Sequence, residues 1–229
     1  MKYVLSLSLL IIMSALQSKA QKVLDLDSFT EVTLSTAGTV YITIGNEYRV
    51  EVDGDEDALE DADIYVRGNT LVIDSDNDWS WFGSNSSDDL VVNITAKRID
   101  GLKVSGSGKM IVKNTIDTED LYLAVSGSGR MELDAKSKDT EVGISGSGKI
   151  YLKGSGDKMS VKISGSGKIR AEDFNVKEFK AAISGSGSCE IAVEDKIDAR
   201  ISGSGSVYYK GNPDHVNTSA SGSGKVRKM

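Results

Sequence analysis

The 229-residue chain contains one cysteine, one histidine and one proline. A lone cysteine, Cys189, excludes an intrachain disulfide, so core packing and backbone hydrogen bonds must hold the fold. A lone histidine, His215, excludes a multi-histidine metal centre, and any serine or cysteine triad would rest on that one residue. The proline, Pro213, falls in a turn from Gly211 to His215. No Gly-x-Ser-x-Gly nucleophile elbow is present. Basic charge is also in deficit, with 27 Lys and Arg against 34 Asp and Glu. Nucleic acid and anionic lipid are therefore excluded as bulk partners. After the first twenty residues no apolar run is long enough to span a bilayer, so membrane insertion is not expected.

Met1 to Ala20 reads as a secretory signal peptide: Lys2, a short apolar run from Val4 to Met13, then Ser18 and Ala20 before the cleavage point. No cysteine follows that run to carry a lipid anchor. Removal takes Lys2 and Lys19, leaving residues 21–229 with a formal charge of −9 (−7 − 2). The expected location is the periplasm, the cell surface or the extracellular space.

What the chain has in abundance is glycine and serine in one repeated phrase. It appears as Val104-Ser-Gly-Ser-Gly-Lys109, Val125-Ser-Gly-Ser-Gly-Arg130, Ile144-Ser-Gly-Ser-Gly-Lys149 and Ile163-Ser-Gly-Ser-Gly-Lys168. It returns as Ile183-Ser-Gly-Ser-Gly-Ser188, Ile201-Ser-Gly-Ser-Gly-Ser206 and Ala220-Ser-Gly-Ser-Gly-Lys225. The first serines stand at 105, 126, 145, 164, 184, 202 and 221, in steps of 21, 19, 19, 20, 18 and 19. A fixed period near twenty marks a solenoid in which one repeat is one coil. Within each repeat apolar and polar residues alternate, as in Val142, Ile144, Ile150 and Leu152 against Ser145, Ser147, Lys149 and Tyr151. That is the period-two pattern of a strand with one buried face. Continuing the parity through the phrase puts both glycines inward and both serines outward. A unit with two glycines also suits a corner with φ above zero. The expected class is all-β, a single-stranded parallel β-helix with coils of roughly 20 residues.

Residues 21–100 are less regular. Ser35-Thr-Ala-Gly-Thr-Val40 reads as a worn copy of the phrase, with Thr36 in place of the first glycine. Tyr48–Val52 reads as a strand, Leu59–Ala62 as one helical turn, and residues 63–73, turning at Gly68-Asn69, as either a hairpin or two coil segments. A polar segment from Asp74 to Asp89 holds both tryptophans, Trp79 and Trp81, beside Phe82. Aromatic faces on such a segment suit sugar rings, and equally suit covering a flank of the stack. Asp74, Asp76 and Asp78 alternate like acids of a calcium loop, but the glycine and distal glutamate of that loop are missing.

Parallel stacking would place Lys109, Arg130, Lys149 and Lys168 in one outward column, broken at Ser188 and Ser206 and resumed at Lys225. Such a column either guards against lateral sheet association or binds an acidic surface polymer. Gly143-Ile-Ser-Gly-Ser-Gly-Lys-Ile150 imitates a phosphate loop, but Ile150 replaces the magnesium-binding hydroxyl and no helix follows. No repeated Asp or Glu column of the kind a polysaccharide hydrolase needs is visible on the phrase face, and the acids concentrate in connecting turns. No cofactor is expected. Cys189 falls on the inward parity and is expected to be a buried apolar residue.

Three sequence features together resemble the head GIN domain family of autotransporter adhesin heads. They are Phe29-Thr-Glu-Val32 with Gly38-Thr-Val-Tyr-Ile42, then Val52-Asp-Gly-Asp-Glu-Asp-Ala-Leu59 followed by Gly68-Asn-Thr-Leu-Val-Ile73, and the reiterated Ser-Gly-Ser-Gly run. The resemblance implies a right-handed β-helix and an adhesive role, and it brings no catalytic residues. The expected function is thus a non-catalytic exported binding or adhesion module, with a glycan or other surface polymer as partner. The alternatives are a structural protein that self-associates by coil stacking and a polysaccharide-acting enzyme.

Overall fold

The structure, a computed structural model, describes residues 20–54, 56–75 and 90–229. It is 75% strand and 2% helix, wound into a β-solenoid of about seven turns with coils of about 19 residues. In chain order the N-terminal elements are β1 (Ala20–Leu24), β2 (Glu31–Leu34), β3 (Thr39–Ile44), β4 (Arg49–Gly54), α1 (Glu56–Asp61), β5 (Ala62–Arg67), β6 (Thr70–Ser75) and β7 (Val91–Ala96). There follow β8 (Gly101–Gly106), β9 (Lys109–Val112), β10 (Ile116–Gly127), β11 (Arg130–Gly146), β12 (Lys149–Gly165) and β13 (Lys168–Gly185). The last are β14 (Ser188–Gly203), β15 (Ser206–Lys210), β16 (His215–Ser221) and β17 (Lys225–Lys228).

From β8 onward every pairing between coils is parallel, and each phrase lies on the one before: Val125 on Val104, Ile144 on Val125, Ile163 on Ile144, Ile183 on Ile163 and Ile201 on Ile183. The coils form two sheets. Stretches just before a phrase make the first sheet, β5–β6–β2–β8–β10 continuing to β16. Stretches just after a phrase make the second, β1–β4–β7–β3–β9 continuing to β17. Strands β11 to β14 run through both.

The phrase is the corner between the sheets, and its two glycines have different tasks. The first glycine, from Gly106 to Gly222, has φ between +109° and +126° and sits at the surface of the bend. The expectation that both glycines point inward therefore fails for this one. A Cβ on Gly146 would also lie 2.6 Å from the Gly127 carbonyl of the preceding coil. The second glycine does point inward. A Cβ on Gly148 would lie 2.4 Å from Val125 Cγ1, and one on Gly167 would lie 2.3 Å from Ile144 Cγ2. The Val or Ile that opens one phrase thus fills the space left by the closing glycine of the next, which ties the two positions together in every repeat. Backbone pairing continues round the bend: Ser147 N–H donates to Gly127 O at 2.8 Å and Lys149 N–H to Gly129 O at 3.0 Å.

Inward side chains form continuous columns, such as Met110, Met131, Ile150, Ile169, Cys189 and Val207, all fully buried or within 1% of it. Where one coil is small its neighbour is large. The coil containing Gly154 and Gly156 is filled from the next coil by Phe174, whose Cζ would be 3.3 Å from a Cβ on Gly156. The worn phrase behaves as a corner, with Leu34 on Val104 and Thr39 on Lys109, and Gly38 supplies its positive φ of 112°.

The irregular N-terminal region departs from sequential coiling. The β2–β3 coil lies between β8–β9 on one side and β6–β7 on the other. Beyond β7 the pairing turns antiparallel, with β4 on β7 and β1 on β4, while β5 pairs antiparallel with β6 as a hairpin rather than as two coil segments. The helical turn expected at Leu59–Ala62 is α1, which begins earlier and ends before Ala62; it joins the outer strands of the two sheets and packs Ala58 and Leu59 on the core.

Candidate binding surface

On the second sheet the outward basic column is present in register: Lys109, Arg130, Lys149, Lys168, Ser188, Ser206 and Lys225. Beside it runs a column the sequence reading missed, Ile111, Glu132, Tyr151, Arg170, Glu190, Tyr208 and Arg227. The two interlock. Arg130 Nε and Glu132 Oε1 are 2.6 Å apart, both out of water and without linear hydrogen-bond geometry, so the contact is ionic. Lys109 Nζ reaches the same carboxylate oxygen at 3.4 Å. The Arg130 guanidinium lies over the Tyr151 ring at 4.2 Å and Arg170 lies 5.8 Å from the same ring. Lys113 lies over Tyr41 at 4.7 Å. Two of the four cations of the expected basic strip therefore share one carboxylate, which offsets one of their two charges. Among the described residues, Lys149 and Lys168 have no carboxylate at ion-pair distance.

The first sheet carries a groove of about 660 Å³ that crosses the coils from Glu31 to Asp198. Its walls are two outward columns. One runs Gly101, Tyr122, Glu141, Ser160, Lys180 and Asp198, and the other runs Asp120, Asp139, Lys158, Glu178 and Lys196. Five carboxylates (Glu31, Asp100, Asp120, Asp139 and Glu141) line its N-terminal half, whereas the other half mixes signs. Acids far apart in the sequence thus converge on one side of the stack. Only the coil register reveals this, because it sets Asp120 directly on Asp139. Tyr122, 48% exposed, is the aromatic of the groove wall. The Thr118 hydroxyl, beside the groove, donates to Asp100 Oδ1 at 2.7 Å.

The second corner, opposite the phrase, carries charges of alternating sign from coil to coil. Lys138 pairs with Glu119 of the coil before it, and Lys177 Nζ lies 2.8 Å from Asp157 Oδ1. Hydrogen bonds from the lysines, then their charge, hold Glu119 and Asp157 below the ordinary carboxylate range. The same contacts raise Lys138 and Lys177, with Asp157 adding to Lys138 and Glu194 and Asp195 adding to Lys177.

Other sequence features fall as follows. The Gly143–Ile150 imitation of a phosphate loop is a corner whose Ser147 and Lys149 N–H groups are already bonded to Gly127 and Gly129 carbonyls. Cys189 is fully buried, and burial pushes its thiol upward, away from thiolate chemistry. His215 is exposed at the start of β16. Asp74 Oδ1 accepts from the Ser75 N–H at 2.9 Å, whereas Asp76, Asp78, Trp79, Trp81 and Phe82 lie outside the described residues. Among the described residues no group of three His, Cys, Asp or Glu is placed to hold a metal ion.

Comparison with known proteins agrees with this architecture. No curated protein matches the chain. A crystal structure titled as a putative adhesin from Bacteroides fragilis is similar with a TM-score of 0.83 at 21% identity, covering 93% of this chain and 98% of that one. One titled as a putative lipid binding protein from Parabacteroides distasonis has a TM-score of 0.73 at 24% identity, covering 92% and 96%. One titled as a putative adhesin from Parabacteroides merdae has a TM-score of 0.72 at 23% identity, covering 93% and 97%. At these identities the likeness speaks for the fold. The family model described as "Putative auto-transporter adhesin, head GIN domain" matches residues 28–213, and the chain belongs to that family.

Proposed function

We propose that this protein is a non-catalytic adhesion module outside the cytoplasm, and that it holds an extended glycan along the groove of the first sheet. The observation that carries this reading is the groove's direction. It crosses the coils rather than following one, spanning six inter-coil steps of about 4.8 Å each, or roughly 29 Å. A polymer several sugars long matches that length. Tyr122 offers a face for a sugar ring, and the carboxylates from Glu31 to Glu141 accept hydrogen bonds from hydroxyls. A lipid chain fits less well, because Leu121, Met159 and Phe179 at the groove floor are at most 2% exposed.

The test is an array of bacterial and host surface glycans probed with the intact protein and three variants. Tyr122→Ala/Glu141→Gln addresses the groove, Lys149→Ala/Lys168→Ala the free part of the basic column, and Trp79→Ala/Trp81→Ala the aromatic segment. Loss of binding in the groove variant alone is the expected result. Salt-sensitive loss in the lysine variant would move the site to the second sheet. Absence of binding to every polymer by the intact protein would sink the adhesion reading. Release of new reducing ends, abolished by Asp120→Asn, would replace it with a glycosidase.

A further inference from the structure

Among the described residues both ends of the solenoid are open, and their charges are opposite. At the C-terminal end β16 pairs only with β14 and β17 only with β15 among the described residues. All seven residues of β16 are exposed. The positions that continue the core columns there, Val216, Thr218, Ala220 and Val226, have no coil over them among the described residues, and Val216 is 43% exposed. At the N-terminal end, among the described residues, β1 pairs only with β4, and β5 only with β6. Each end therefore offers one free strand edge in each sheet, and such edges accept another chain unless something prevents it.

The charges select which chain. Residues 215–229 contain Lys225, Arg227 and Lys228 and no Asp or Glu. Residues 49–67, which span β4, α1 and β5, contain eight Asp and Glu against Arg49 and Arg67, and β1 adds Lys22, so this end is acidic in balance. Glu60 and Asp63 are exposed there, as are Lys225 and Arg227 at the far end. Two C-terminal ends repel each other, and so do two N-terminal ends. Only unlike ends attract.

We infer that the open C-terminal edge is covered by the acidic N-terminal end of a second copy of the same chain, so that the solenoids associate head to tail. Such a contact joins two different surfaces and does not close on itself, so it extends into linear chains. An array of this kind would repeat the groove along its length, but the inference rests on the ends alone and not on what the groove binds.

Sedimentation velocity on the full chain, from micromolar to millimolar concentration, tests it. Growth in size with concentration at low salt, suppressed at high salt, is expected. Lys225→Glu/Arg227→Glu should remain monomeric, and so should Glu60→Lys/Asp63→Lys. An equimolar mixture of the two should associate again, because each variant keeps one native end that matches an end of the other. All four substitutions are at exposed positions, and unchanged thermal melting confirms that the variants are folded. A monomer at every concentration in low salt overturns the inference, leaving the cations as edge protection. Association lost in the C-terminal variant but kept in the N-terminal one also overturns it, in favour of a tail-to-tail dimer.

Discussion

Replacing each glycine of one phrase with alanine separates the two tasks the corner imposes. Gly146 has φ +112°, and an added Cβ would stand 2.6 Å from the Gly127 carbonyl oxygen. Backbone strain of this kind costs about 1–3 kcal/mol. The clash adds about 1–3 kcal/mol of overpacking, and it cannot relax through a side chain because the obstacle is backbone held in the corner ladder. Gly148 has no positive φ, and its added Cβ meets Val125 Cγ1 at 2.4 Å, so only the overpacking cost of about 1–3 kcal/mol applies. Gly146→Ala should therefore destabilise by about 2–6 kcal/mol and exceed Gly148→Ala, while exposed Ser147→Ala should stay within about 0.5 kcal/mol. The Gly148 effect should be relieved in part by Val125→Ala, giving a double mutant milder than the sum of the singles. No side-chain truncation should rescue Gly146→Ala. Urea unfolding followed by circular dichroism and tyrosine fluorescence measures all five variants. If Gly146→Ala is no worse than Gly148→Ala, the assignment of distinct roles to the two glycines is wrong.

Phe174→Ala should cost about 3–5 kcal/mol in the same unfolding assay, because Gly154 and Gly156 beside it have no side chains to fill the cavity. Cys189 should resist maleimide in the native protein and react once denatured, since it is fully buried and its thiol is pushed upward; rapid native labelling would contradict its core position. The lowered Glu119 and Asp157 contribute stability that is present above their unfolded pKa values, near 4, and lost as pH falls through their lower folded values. Glu119→Gln/Asp157→Asn should therefore flatten the acid limb of the unfolding midpoint against pH. The raised Lys138 and Lys177 act at the other extreme: their contribution is present below about 10.4 and lost as pH rises through the higher folded values. An unchanged acid limb in the double variant would show that these pairs do not couple to folding.

The candidate surface was only partly visible beforehand. The basic column from Lys109 to Lys168 follows from the repeat, because equal coil lengths put the same phrase position on the same outward line. Its partial pairing follows only in part: Glu132 meets Arg130 within one strand, but its contact with Lys109 and that of Tyr151 with Arg130 are made across coils. The groove was hidden for a related reason. Asp100, Asp120 and Asp139 lie in segments of differing composition, and nothing local says that these segments align. The alternation of Glu119, Lys138, Asp157 and Lys177 was hidden in the same way.

By itself the sequence determined the class of fold, the coil length and the identity of the core. Strand alternation is a local property, and the phrase marks each coil without reference to any other. It also determined that Cys189 is inside and that the phosphate-loop match is spurious. Only the tertiary structure decided that the phrase is a corner, that its first glycine bends the chain while its second admits the preceding Val or Ile, and that the β2–β3 coil lies between β6–β7 and β8–β9. Those features depend on carbonyls and side chains of the adjacent coil, which are about twenty residues away in sequence but one strand spacing away in space.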